Sequence, residues 1–146
     1  LKGDLAEKEA IFELPYQQIC RELFPEFKDA YSHLKSLGYL EFVSTSYLRG
    51  LSFHDAVILV DEFSSCNYHE LATIITRVGE NSKIIFAGDL KQSDLVMTRE
   101  ESGYKKFLHV VSKMPQENIA HIQYGLEDIV RSGLVKQFLI ADYYNG

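Results

Sequence analysis

Ala56-Val57-Ile58-Leu59-Val60-Asp61-Glu62 is an apolar run that ends in two adjacent acids. A short run without alternation suits a parallel strand covered on both faces. Its acids would then stand at the carboxyl edge of the sheet, where open α/β folds bind ligands. Two carboxylates so placed can divide a task. Asp61 would hold a hydrated Mg²⁺, and Glu62 would orient or deprotonate an attacking water, which is the Walker B pattern. The same pair would also serve as a plain strand terminus capping the residues after it, and the run alone does not choose. A second run, Lys83-Ile84-Ile85-Phe86-Ala87-Gly88-Asp89, also ends in an acid and continues as Leu90-Lys91-Gln92-Ser93-Asp94. If one helix joins the two strands, both tails fall on one edge, and Asp89 and Gln92 face the crevice beside Asp61 and Glu62. The Gln92 amide reaches a γ-phosphate or the attacking water without adding charge, and Gly88 lets the backbone turn sharply. The plainer alternative is a turn in which Asp89 or Asp94 caps backbone amides.

The elements that must position these groups follow from periodicity. Asn67 and Glu70 have the spacing of a capping box, with Asn in the usual Ser/Thr place. Leu71, Ile74, Ile75 and Val78 then fall on one helical face, with Gly79 as the stop. Strand, amphipathic helix and strand make one βαβ unit with parallel strands and a right-handed crossover. Upstream, residues 4–37 read as helix broken at Pro15 and Pro25, with a short helix over 29–37 ended by Gly38. Residues 41–48 read as a strand rich in Val, Thr, Phe and Tyr. Downstream, 102–111 reads as a helix and 119–123 as a strand. Residues 127–142 read as a closing helix that buries Ile129, Val130, Leu134, Phe138 and Leu139. The expectation is a single α/β domain over 1–146, incomplete at its front edge, with a helical segment at 1–37 and the chemistry-bearing core at 38–142.

Composition narrows the function classes. The 146 residues are 46% hydrophobic, with nine Phe and nine Tyr, enough for a real core. A net charge of −6 argues against the broad basic surface of an autonomous nucleic-acid binder. No apolar stretch approaches the ~20 residues that span a bilayer, so no membrane partner is expected, and no secretory signal is visible. Cys20 and Cys66 stand alone, without CxxC or HxxxH spacing, and read as reduced thiols of a cytoplasmic protein.

Taken in order, Tyr47-Leu48-Arg49-Gly50, the run 56–62, Thr76-Arg77-Val78-Gly79, residues 82–95, Ser102-Gly103 and residues 128–135 resemble the PhoH family, RecA-like P-loop ATPases related to superfamily-one helicases. The resemblance covers about residues 38–142. It rests on the Walker B run, TRxG and GDxxQxD together at these separations. It implies a three-layer RecA-like core with a mostly parallel sheet, ATP and Mg²⁺ as ligands, and RNA or single-stranded DNA as a partner of the intact protein. By position, Asp61 matches the metal-binding acid and Glu62 the catalytic acid. Asp89 and Gln92 match the sensor segment, and Arg131 an arginine that stabilises charge on the transferred phosphoryl group. Arg49 and Arg77 match arginines of the MRG-like and TRxG segments, on the nucleotide side. Each arginine also has a duller use: Arg77 lies near a helix C-terminus and suits its dipole, and Arg131 could pair with Glu127 or Asp128 within its helix.

Two departures stand out. Family members continue the Walker B strand as DEAQN, whereas this chain reads Asp61-Glu62-Phe63-Ser64-Ser65; the VRHPLV-like segment reads Val130-Arg131-Ser132-Gly133-Leu134-Val135. No GxxxxGK[ST] phosphate loop occurs, and the chain begins at Leu1. A fragment lacking the first strand and its loop is therefore expected, inactive and weak in ATP binding by itself, with an apolar edge prone to self-association. Two other readings stay open: a nucleotide-regulated binding module with little hydrolysis, and a degenerate structural α/β domain.

Overall fold

The structure, a computed structural model, describes residues 5–89 and 103–145, with side chains from Ala10 to Tyr144. It is a mixed α/β fold divided into two units, 1–109 and 110–146.

The first unit opens with α1 (Leu5–Leu23) and α2 (Ala30–Ser36). Contrary to expectation, α1 runs straight through Pro15. A proline removes one helical hydrogen bond and strains the preceding turn. Here Tyr16 and Cys20, one turn apart just beyond it, pack with Ala30, Tyr31, Leu34 and Leu40, and this tertiary packing carries the helix across. Asp29 caps α2 by accepting the Ser32 N–H at 3.1 Å. Gly38, at φ +73°, closes α2 with its N–H on the Lys35 carbonyl. The strand expected at 41–48 is absent. Those residues run irregularly into a 3₁₀ turn (Thr45–Tyr47), because strand propensity without a partner ladder does not hold an extended segment.

Strands β1 (Val57–Val60) and β2 (Lys83–Phe86) pair in parallel with Val57 opposite Lys83 and Val60 opposite Phe86. The joining helix, α3 (Tyr68–Ile75), begins with the expected reciprocal cap. Asn67 accepts the Glu70 N–H at 3.0 Å, and Glu70 accepts the Asn67 N–H at 2.8 Å. Leu71 and Ile74 are its buried residues. The helix stops before Gly79: Arg77 and Val78 leave it, and Val78 forms a parallel bridge with Phe53 ahead of β1. That entry is tied by Phe53 N–H to Arg77 O at 2.9 Å and Gly79 N–H to Phe53 O at 2.7 Å. Asp55 and Asn81, both at positive φ, join side chains at 2.7 Å.

Gly79 is required there by space. A Cβ would come within 2.6 Å of the Phe53 carbonyl oxygen and 2.7 Å of the His54 ring. Gly79→Ala is expected to lower stability by about 1–3 kcal/mol, the usual cost of overpacking. Urea unfolding with an unchanged midpoint would show that this crossing gives way freely.

The strands were expected to be covered on both faces, and among the described residues they are covered on one. Val57, Leu59 and Ile85 are 69, 57 and 50% exposed. Side chains alternate along a strand, so Ile58, Val60, Ile84 and Phe86 share the opposite face, which is buried or half-buried. Helix α4 (Gly103–Val111) begins in this unit with Tyr104 and Phe107 buried. Phe107 meets Phe86 at a centroid distance of 4.9 Å.

The second unit contains 3₁₀ turns at Gln116–Asn118 and Leu126–Asp128, then α5 (Gly133–Asn145). Neither the strand at 119–123 nor a helix starting at 127 forms. Asp128 instead closes a turn by accepting the Gly125 N–H at 2.7 Å, Ile129 is extended, and the helix waits for Gly133. The expected buried face is also missing: Val130, Leu134 and Phe138 are 96, 80 and 67% exposed. Helix α5 is apolar on several sides, so its pattern selects no single face for burial.

Candidate functional site

The two strand tails lie side by side, and the pairing continues beyond the ladder. Ala87 N–H donates to Val60 O at 2.8 Å, and Phe63 N–H donates to Ala87 O at 3.1 Å. Asp61-Glu62 and Gly88-Asp89 therefore leave the sheet at one edge, all four residues exposed. Glu62 occupies the left-handed region (φ 51°, ψ 36°), a conformation costing an L residue roughly 1–2 kcal/mol. Its effect is a reversal. Asp61 and Glu62 stay at the surface, while Phe63 turns inward and a 3₁₀ turn (Phe63–Ser65) follows, held by Ser65 N–H and Oγ on the Glu62 carbonyl at 3.0 and 2.7 Å.

Gly88 was expected to serve a sharp turn. Its φ is not among the positive ones, and the demand is proximity: a Cβ would lie 3.0 Å from Phe63 Cδ1 and 3.3 Å from Ser64 Oγ.

Both oxygens of Asp61 are engaged. Oδ1 accepts the Glu62 N–H at 3.0 Å, and Oδ2 accepts the Tyr16 hydroxyl at 2.9 Å. Tyr16 comes from α1, and its ring packs against Phe42 at 5.9 Å. No sequence signal links positions 16 and 61; only the tertiary fold brings them together. Burial first, then the bond to Asp61 and the charges of Asp61 and Glu62, push the Tyr16 phenol up from 10.0 to about 12. The folded state thus holds this proton more tightly than the unfolded chain. Its contribution to stability is fully present below pH 10 and is lost as pH rises through about 12. In denaturant unfolding across that window, wild type is expected to lose stability more steeply than Tyr16→Phe. Parallel pH slopes for the two proteins would refute the shift.

The PhoH-like protein family profile matches residues 1–144. The chain belongs to the PhoH-like family. It is 32% identical over 145 residues to Protein PhoH of Escherichia coli K12, covering 97% of this chain and 39% of that protein. It is 29% identical over 143 residues to the PhoH-like protein of Bacillus subtilis, covering 97 and 43%, and 28% identical over 146 residues to that of Mycobacterium leprae, covering 97 and 39%. The chain spans about two fifths of the length of these relatives.

Against the PhoH-like pattern, the structure gathers some of the expected residues and separates others. Asp61, Glu62 and Asp89 share the sheet edge. Gln92 lies outside the described residues, as do Asp94 and Ser102. Arg77 is held at the opposite end of the strands. Its Nη1 donates to the Leu51 carbonyl at 3.2 Å, its Nη2 donates to Thr76 Oγ1 at 3.2 Å, and its own carbonyl receives the Phe53 N–H. The crossover helix has by then returned the chain to the entry of β1, roughly 13 Å of strand away from the acids. Arg49 lines an open pocket of about 340 Å³ with Thr45, Ser46, Asn67, His69, Glu70 and Thr73, beside the first turns of α3. Arg131 belongs to the second unit, exposed and ahead of α5, so pairing within a helix does not apply to it.

The DEAQN departure acquires a structural account. Phe63, in the place of the family's Ala, is 7% exposed and packs edge-on against Phe86 and Tyr104, at 5.9 and 6.5 Å. Ser64, in the place of Gln, is buried. Cys20 and Cys66 are both free thiols, and burial, with Glu70 adding to it, pushes the Cys66 thiol up.

Among the described residues no cluster of three or more His, Cys, Asp or Glu side chains is built to hold a metal alone, and no helix is long and apolar enough to cross a membrane. Mg²⁺ bound with nucleotide takes one or two carboxylates, water and phosphate oxygens. An exposed carboxylate such as Asp61, with a lone pair left on each oxygen, fits that donor set.

Proposed function

We propose that the protein is an ATPase that transfers the γ-phosphoryl group of ATP to water, and that this chain supplies its acid and sensor side. The observation that carries the reading is the shared edge: parallel β1 and β2, locked by Phe63 N–H on Ala87 O, present Asp61-Glu62 beside Gly88-Asp89. Mg²⁺, when bound, neutralises charge on the β- and γ-phosphates. Asp61 would hold it through the carboxylate. Glu62 accepts a proton from the water as its oxygen bonds to the γ-phosphorus and the bond to ADP breaks, so phosphate and ADP leave. Asp89 lies on the nucleotide side of the edge, and Gln92 senses the γ-phosphate. Arg131 and Arg49 are the arginines proposed to approach the phosphates. Arg77, tied at the far end of the strands, acts on the entry loop instead. Coupling of turnover to RNA or single-stranded DNA remodelling, assembly into a homo-oligomer and a cytoplasmic location complete the proposal, on the strength of family resemblance.

The test is Mg²⁺-dependent ATP hydrolysis by the full-length gene product, wild type against Glu62→Gln. Loss of turnover with nucleotide binding retained supports the assignment. Equal turnover in the two proteins refutes it.

A further inference from the structure

Tyr16 sits outside every motif that carries the family resemblance, yet its hydroxyl is bonded to the acid assigned to the metal. The bond spans 45 positions of sequence. Its ring is anchored twice, against Phe42 at 5.9 Å and on the buried cluster of Cys20, Ala30 and Tyr31. Asp61 itself stands exposed at a strand end, where nothing in the ladder fixes its side-chain torsions. Two bonds do so instead. Glu62 N–H takes Oδ1 and Tyr16 takes Oδ2, which sets the carboxylate plane and leaves acceptor capacity on both oxygens.

The chemistry of the donor matters. A lysine or arginine in this place would cancel the carboxylate's charge and compete with a cation. A phenol that keeps its proton orients the group while leaving its full negative charge for a divalent ion. Outer-sphere hydrogen bonds of this kind orient metal-binding side chains, and their loss weakens metal binding.

We infer that Tyr16 is the positioning residue for Asp61, holding its carboxylate in the orientation that receives a hydrated divalent cation accompanying the nucleotide, and that α1 is thereby part of the site. This rests on the ATPase reading above. Helix α1 then contributes more than a packing surface: a displacement that draws Tyr16 away frees the Asp61 carboxylate to rotate.

The experiment measures Mg²⁺-dependent binding of a non-hydrolysable ATP analogue to the full-length gene product by calorimetry, and half-saturating Mg²⁺ for hydrolysis at saturating ATP. It compares wild type, Tyr16→Phe, Asp61→Asn and the double variant. Tyr16→Phe keeps the ring on Phe42 and removes only the donor. The expected result is a roughly tenfold rise in half-saturating Mg²⁺, with kcat at saturating Mg²⁺ within about twofold of wild type. In the Asp61→Asn background the Tyr16→Phe effect is expected to vanish, a non-additivity that a merely structural role does not produce. Unchanged half-saturation in Tyr16→Phe overturns the inference and leaves the ATPase reading intact. A tighter cation in that variant overturns it too, since the hydroxyl would then be a competitor. A lowered melting temperature with the same half-saturation assigns Tyr16 to packing alone. A wild-type protein with no Mg²⁺-dependent nucleotide binding overturns both readings.

Discussion

Glu62→Gln in the full-length gene product is expected to reduce kcat for ATP hydrolysis by about 10²–10⁴-fold, the range usual for removing a positioned general base. The amide keeps the length and shape of the side chain but takes no proton from water. Gln accepts the left-handed backbone about as well as Glu, so the φ of 51° adds no new strain on substitution. The turn that holds the site does not use the Glu62 carboxylate. It uses the Glu62 carbonyl, which receives both bonds from Ser65, and the Glu62 N–H on Asp61. Folding and nucleotide affinity should therefore survive, and the loss should fall on kcat rather than KM. A fall in KM-limited binding with kcat intact would move Glu62 from the reaction to ground-state binding.

Phe63→Ala should cost about 3–5 kcal/mol of stability, the range for deleting a buried aromatic ring. Phe63 lies between the end of β2 and α4, in edge-on contact with Phe86 and Tyr104, while Phe86 in turn meets Phe107. Removing the ring opens a cavity beside Phe86, Tyr104 and Gly88, whose close approach is shaped to it. The backbone on either side is pinned by Phe63 N–H to Ala87 O and by the Ser65 bonds to Glu62 O, so collapse into the space is restricted. The same pins connect the cavity to the acids, and turnover should fall along with stability. Phe63→Leu refills most of the volume and should recover most of the loss. Denaturant unfolding of the three proteins measures this directly; a Phe63→Ala cost below about 1 kcal/mol would show that the ring is not a core member.

Some of this molecule was legible without coordinates. The pair of apolar runs, the capping box at Asn67 and Glu70 and the short helix after Asp29 all formed as read, because each is specified by residues close together in sequence. The family was legible too, from the order of its motifs. Segments that depend on a distant partner were misread. Residues 41–48 and 119–123 carry strand-forming side chains but find no ladder, and Pro15 stays inside a helix that packing sustains. The helix expected from 127 begins at Gly133, since Asp128 spends its carboxylate on the Gly125 N–H.

The candidate site divides along the same line. Local sequence determined that Asp61, Glu62 and Asp89 end two apolar strands, and a single crossover helix sent those ends to one edge. Tertiary structure alone decided that Glu62 bends left-handed so that Phe63 enters the core, that Arg77 is returned to the far end by the helix that precedes it, and that Tyr16 meets Asp61. The reason is the range of the forces involved. Capping and strand formation act over a few residues, whereas an orientation fixed by a hydroxyl from another helix exists only after the chain has packed.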